Sequence, residues 1–457
     1  MISTLVSIKQ VRGGRFIAER FLLLEQRFID QIKTGKFPLE PISAVGKVRG
    51  GKRLPRSSRY VSDGIPYVRS TDIRELRVDF SQVVHISPAQ QKQLARYPLE
   101  YNDVVITIAG SIGSVGLVDT KFDRCHFNEN LARITKINRL NPAYLAVYLN
   151  SRFGQAYIKY FTGGAVQLKL SLESINKIEV PIPPISIQNC IAQVMQDAYA
   201  TRREKLAQAK RLYQEIDGYV LKELGIDLAK LQSRRSALVP ICSIAGGRFD
   251  FEAVVTVQDI NFNGTASTLL QEVVKQVNDR ITPADDCPTQ DVNYVGLGNI
   301  TPNIGELIDF TPSKGAAILS SSPKFECGDI LFGRMRPYLN KVWVSEFDGV
   351  CSGEAIVLRT DKRKVDPRFL QALLLSRITL YQVVPLQSGS SLPRVCASDV
   401  LNLKLPIPKD LKKQAEIGEE VASRRAEAKR LRAEAETVVT EAKARVERMI
   451  LGEEEVP

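Results

Sequence analysis

Two stretches of this chain read as long one-faced helices, and neither can stand in water alone. The first follows Pro181-Ile182-Pro183-Pro184. Prolines fix φ and remove amide donors, so no helix runs through them, but one can begin directly after. From Ile187 the apolar residues fall at Ile191, Val194 and Ala198, then at Leu206, Ala209, Tyr213, Ile216, Val220 and Leu224. Steps of three and four on a background of Lys, Arg, Glu and Gln make a coiled-coil-like seam. Gly225 is its expected stop. A rod of about forty residues is roughly 60 Å long, and its apolar stripe needs a partner. The partner follows Pro406-Ile407-Pro408: Gln414-Ala415-Glu416-Ile417, then Val421, Ala428, Leu431, Ala435, Val438, Ala442, Val446 and Met449, with Gly452 as the stop. Gln188-Asn189-Cys190-Ile191 occupies the matching place in the first rod.

The repeat extends upstream of both rods. Gly13-Gly14-Arg15-Phe16 recurs as Gly246-Gly247-Arg248-Phe249. Ile42 to Val48 reads as a strand or short helix leading into a glycine-rich basic loop, with Val273–Arg280 in the same slot. Ile65–Ile73 and Tyr294–Ile300 read as a strand ending in a polar turn. Asp103–Ile108 and Asp329–Gly333 read as buried strands, rich in β-branched residues. Asn141-Pro142 and Asp366-Pro367 each read as a capped helix start with Pro in the first position. Gly163-Gly164-Ala165-Val166-Gln167 stands against Ser388-Gly389-Ser390-Ser391-Leu392, and Leu168-Lys169-Leu170 against Leu392-Pro393-Arg394. Each unit is therefore a mixed α/β domain followed by a long helix. One scaffold with different loops implies one task performed on different targets.

The chain has 457 residues and a formal net charge of +12. Such a basic excess points to a polyanionic partner, most often nucleic acid. No run of eighteen apolar residues exists, so no membrane span is expected, and the N-terminus lacks the apolar core of a secretion signal. Seven scattered cysteines, an odd number without a C-x-x-C pair, fit reduced thiols in a cytoplasmic protein rather than a disulfide frame or zinc site. His85 and His126 are the only histidines. Cys125-His126 lacks a second ligand pair, and no metal site is expected.

Two motifs carry a tempting chemistry and a plainer reading. Asn141-Pro142-Ala143-Tyr144 resembles the Asn-Pro-Pro-Tyr of adenine methyltransferases, but its counterpart Asp366-Pro367-Arg368-Phe369 keeps only what a helix start needs. Gly110-Ser111-Ile112-Gly113-Ser114-Val115-Gly116 resembles a phosphate loop. It lacks the Gly-Lys-Ser/Thr of a Walker loop and leads into a strand, so a hairpin turn is expected. With only two histidines a Ser-His-Asp arrangement is not expected, and no nuclease-type set of carboxylates with a Lys stands out. The positive signal lies in basic and small polar loops, where Arg can grip phosphate or guanine and Asn or Gln can read adenine. Lys47, Arg49, Lys52, Arg53, Arg56 and Arg59 form one cluster, joined by Arg69, Ser70, Thr71, Gly163, Gly164 and Gln167. Arg334, Arg336, Tyr338, Asn340 and Lys341 form the other, joined by Asn299, Ser390, Ser391 and Arg394.

The order of these segments, repeated twice, resembles the specificity subunit of type I restriction-modification systems. The residues that carry the resemblance are Gly50-Gly51-Lys52-Arg53, Gly64-Ile65-Pro66-Tyr67-Val68-Arg69, Asp103-Val104-Val105-Ile106, Leu172-Glu173-Ser174-Ile175 with Pro181-Ile182-Pro183-Pro184, and Gln188 with Ile191. The resemblance implies two target-recognition domains, 1–184 and 237–409. It places long antiparallel coiled-coil helices at 185–236 and 410–452, which separate the domains. Each domain would read half of a split site in double-stranded DNA, and the helices would set the unread spacer. The subunit would have no catalysis and no cofactor of its own. It would dock two DNA adenine methyltransferase subunits, which use S-adenosylmethionine, together with restriction (translocase-nuclease) subunits. The competing readings are a stand-alone DNA methyltransferase or nuclease, and a helical scaffold whose α/β domains bind protein.

Overall fold

The computed structural model describes residues 23–55, 58–163, 168–226, 262 and 267–454. The two Gly-Gly-Arg-Phe tetrapeptides, Arg56, Gly164 and Gln167 lie outside them. The chain divides into two compact units: 1–205 with 434–457, and 206–433.

In the first unit, strands β1 (Lys47–Gly50), β3 (Val104–Thr107), β4 (Val115–Leu117) and β6 (Leu131–Thr135) form an antiparallel sheet in the order β1-β6-β3-β4. A two-residue-loop hairpin, Ile73–Arg74 with Arg77–Val78, extends it beyond β4. Successive side chains of a strand face opposite sides. Val104 and Ile106 of β3 and Ala132 and Ile134 of β6 enter the main core, against helices α1 (Pro142–Asn150) and α2 (Arg152–Phe161). Val105 and Leu131 enter a second core. There β2 (Ile65–Val68) runs parallel to β5 (His126–Phe127) in a small separate sheet. Burial on both faces is why these strands read as unbroken apolar runs.

The second unit repeats this plan. β7 (Val274–Val277), β9 (Ile330–Gly333), β10 (Val342–Val344) and β12 (Ala355–Thr360) pair in the order β7-β12-β9-β10, while β8 (Tyr294–Val295) runs parallel to β11 (Gly349–Cys351). Ile330, Phe332, Ile356 and Leu358 face the core with α4 (Pro367–Leu374) and α5 (Arg377–Val383). Leu331 and Val357 face the other way, onto Trp343 and Phe325.

The long helices are α3 (Ile185–Glu223, 39 residues) and α6 (Leu411–Leu451, 41 residues). Gly225 and Gly452, just past their ends, take the left-handed φ of +68° and +77° that favours glycine there. Each unit holds a portion of both helices, packed antiparallel. In the first, Arg202 meets Glu436 and Lys205 meets Glu434. In the second, Arg432 lies over the Tyr213 ring and Arg424 over the Tyr219 ring.

The repeat is a repeat of hydrogen bonds. Gln188 is buried; its Oε1 accepts from Asn141 N at 2.7 Å, and its Nε2 donates to the carbonyls of Pro183 and Arg139. Gln414 does the same with Asp366 N at 2.8 Å and the carbonyls of Pro408 and Lys364. Asn141 and Asp366 in turn cap α1 and α4. The Asn-Pro-Ala-Tyr segment is thus a helix start. Tyr144 is buried and donates to Pro181 O.

Candidate nucleic-acid interface

Part of the first domain's candidate set meets at one turn, Asn128-Glu129-Asn130, between β5 and β6. Gly51 N donates to Leu131 O, and Lys52 N to Phe127 O. A Cβ on Gly51 would fall 2.0 Å from Asn128 O, so only glycine lets the basic loop approach this closely. Tyr67 of β2 donates its hydroxyl to Lys52 O at 2.7 Å and pins the loop from below. Arg69, Ser70 and Thr71 leave the end of β2 in a short 3-10 turn, Ser70–Asp72. Asn130 accepts Ile108 N, and Ile108 accepts Leu170 N, which brings in the loop closed by Gly163 and Lys169. The Gly110–Gly116 segment is the β3–β4 hairpin turn together with the start of β4, with Gly110 and Gly113 at positive φ.

The second domain builds the same hub at Ser352-Gly353-Glu354. Ser352 N donates to Val295 O, as Asn128 N does to Val68 O, and Arg334 N donates to Glu354 O. The segment Arg334–Asn340 joins β9 to β10 through a 3-10 turn, Pro337–Leu339. The loop closed by Ser388 and Arg394 pairs with Met335. Val395 N bonds Arg334 O, as Leu170 N bonds Ile108 O. This corrects the alignment of Leu168-Lys169-Leu170 with Leu392-Pro393-Arg394 by one residue. Lys169 stands against Arg394, and the shifted register is what hid exposed Lys169 among the candidate cations.

The cations fall into two groups. Lys47 and Arg49 lie exposed on one face of edge strand β1, and Lys52 and Arg59 are exposed on the following loop. None of these, nor exposed Arg336, has a carboxylate partner among the described residues. Tyr338 is 48% exposed beside Arg336, and Ser390 and Ser391 are exposed at a loop tip. The other group is engaged by groups of the protein itself. Arg53 pairs with Glu129, Arg69 with Asp72 through its backbone and side chain, and Arg394 with Glu354. Lys341 donates to Leu297 O, and burial lowers its pKa. Asn299 accepts from Gly296 N and donates to two carbonyls. Asn340 is 4% exposed and donates to Leu375 O, so as a base reader it is withdrawn. A short polar side chain tolerates the left-handed φ of +50° that this position requires.

Cys125 and His126 are buried. Burial pushes the Cys125 thiol up to about 12, and His126 Nδ1 sits 2.8 Å from Tyr97 O. Among the described residues, no group of three or more His, Cys, Asp or Glu is placed to hold a metal ion.

Comparison with known proteins bears on the first of these domains. The family model described as "Type I restriction modification DNA specificity domain" matches residues 40–211. Residues 40–211 are a type I restriction modification DNA specificity domain. The family that the sequence resembled is thereby found on the stretch that holds the first hub. The type I restriction enzyme EcoBI specificity subunit of Escherichia coli is 30% identical over 170 residues, 34% of either chain. The EcoDI specificity subunit of the same organism is 31% identical over 91 residues, 20% of either chain. The matched stretches span about a third or less of these relatives. The crystal structure of a type I restriction-modification S subunit from M. genitalium aligns over 91% of this chain and 96% of its own, at 14% identity and a TM-score of 0.49. The specificity domain ends within α3 and includes Gln188, so the helix anchor belongs to it.

Proposed function

We propose that the chain is the sequence-specific DNA-binding subunit of a type I restriction-modification complex, and that each domain reads one half of a split site. The observation that carries this is the duplicated hub. A specificity domain and its structural repeat each bring small polar loops to one turn, and the adjoining segments carry a cation with no carboxylate partner among the described residues, Lys52 in the first and Arg336 in the second. Free cations supply phosphate contacts, and loops of Gly, Ser and Thr let the backbone come near the duplex. Catalysis belongs, on this reading, to the partners. Two DNA adenine methyltransferase subunits bring S-adenosylmethionine, and restriction subunits bring translocation and cleavage. The relatives' names support this assignment. Among the described residues no single helix is long and apolar enough to cross a membrane, and a cytoplasmic location is part of the proposal.

The test is selection. The purified chain, with its methyltransferase partner, is mixed with random duplexes, and the retained DNA is sequenced. A two-part motif with an unread spacer is expected; a continuous motif, or none, counts against the proposal. Methyl transfer by the isolated chain would replace it with the stand-alone enzyme. Binding that ignores salt would favour a protein-binding scaffold.

A further inference from the structure

The hairpin that follows the first polar turn has the wrong residues for its shape. Ile73 pairs with Val78 and Arg74 with Arg77, leaving Glu75 and Leu76 as a two-residue loop. Both have positive φ, +49° and +63°. Such a loop selects Asn-Gly, because the left-handed region brings Cβ close to the following carbonyl oxygen, a cost that Gly escapes and Asn offsets by local hydrogen bonding. Strain of this kind persists only where surrounding contacts impose it. Here the contacts come from α3. Glu75 accepts from both Arg202 and Arg203, and Arg202 also holds Glu436 of α6. Leu76 packs into the main core and lies beside Met195 of α3 and Val446 of α6.

The second domain makes the same reach with different residues. Ile300 pairs with Leu307, and the loop between them ends in Glu306. Glu306 accepts from the hydroxyl of Tyr213 on α3 at 2.7 Å. Arg425 of α6 lies half-buried near it; one of its nitrogens donates to Gln371, and Gln371 donates to Gly305 O in the same loop. The two loops are equivalent by their backbones. Asp79 N bonds Asp72 O where Ile308 N bonds Asn299 O. Each loop is directly joined to the short turn, Ser70–Asp72 or Leu297–Asn299, at the end of a parallel strand.

We infer that Glu75 and Glu306 are positioning residues, each fastening its domain's reading turn to the helix pair that passes through the same unit. This rests on the DNA-reading proposal and deepens it. The recognition surface is set by an acidic hairpin tip gripped by the helices, not by the sheet alone. Two of the first domain's candidate contacts, Ser70 and Thr71, lie two to three residues upstream of the strained hairpin, so a released tip frees them.

The experiment uses the full chain and the split site obtained by selection. Glu75→Asn removes the carboxylate and suits the turn better than Glu, so the hairpin itself is not weakened. It is expected to lose about tenfold in discrimination at one half-site, the size of a strong pairwise coupling, with the other half-site unchanged. Glu306→Gln is expected to act on the opposite half-site alone. Restoring the network in reverse, Glu75→Arg with Arg202→Glu, Arg203→Glu and Glu436→Arg, is expected to recover discrimination. Thermal unfolding, followed in parallel, should stay within a few degrees for Glu75→Asn. If wild type reads both half-sites and Glu75→Asn reads them equally well, the latch is overturned. Equal loss at both half-sites would also overturn it. If wild type shows no split site, the DNA-reading proposal itself fails.

Discussion

Glu354 holds Arg394 through both carboxylate oxygens, and this hydrogen bonding draws its pKa below the ordinary 4.5. A carboxylate lowered on folding adds stability that is complete above its unfolded value and is lost as pH falls through the folded one. Acidification below that range should therefore loosen the 388–394 loop. Glu354→Gln should do so at neutral pH. Hydrogen exchange of the Ser388 and Arg394 amides, which bond each other's carbonyls, checks both, and unchanged protection would refute the link. Gly51 gives a second residue-scale expectation. Gly51→Ala puts a methyl against the Asn128 carbonyl, so the basic loop must lift. A cost of about 1–3 kcal/mol is expected from overpacking of this kind, read from urea unfolding. The sequence showed Gly50-Gly51 as a loop, but not that the second glycine lies under a backbone oxygen 77 positions further on.

The buried glutamines are where helix and sheet are joined. Gln188 and Gln414 each take one backbone N–H and give to two carbonyls. Truncation to Ala leaves those backbone groups without the glutamine in a buried setting. Each change is expected to cost about 1–3 kcal/mol, and the two costs should add because the glutamines share no partner. Denaturant unfolding of the single and double variants measures it, and a sum that falls short would show coupling. Much at this scale was legible. The helix seams, capped helix starts and apolar strands follow from local periodicity and from proline and glycine placement. The short parallel pair of β2 and β5 was not, because β5 spans only two residues and carries no period. The Glu75-Leu76 hairpin was equally hidden, since its turn residues deny the turn.

For the whole molecule, affinity for DNA should be governed by the unpaired cations. Each phosphate neutralised lowers the slope of log affinity against log salt by about 0.9. Arg336→Ala or Lys52→Ala should flatten that slope by about one such step and weaken all sequences alike. Arg53→Ala should change it less, since Glu129 already holds that charge. A salt titration of filter binding separates these outcomes, and equal effects from all three would mean the ion pair opens on DNA. The sequence by itself determined the repeat, the two helices with their apolar seams, the glycine stops, and the residue types gathered in the loops. These rest on local rules, in which a side chain's neighbours are a few positions away. Only the tertiary structure decided which candidate cations are held by acids, as Arg53 is by Glu129 and Arg394 by Glu354. It also decided that Asn340 serves the fold, and that an unremarkable glutamate at a hairpin tip is gripped by a helix more than a hundred residues away. Pairing of charges depends on distance in space, and the folded chain sets that distance between residues whose sequence separation says nothing of it.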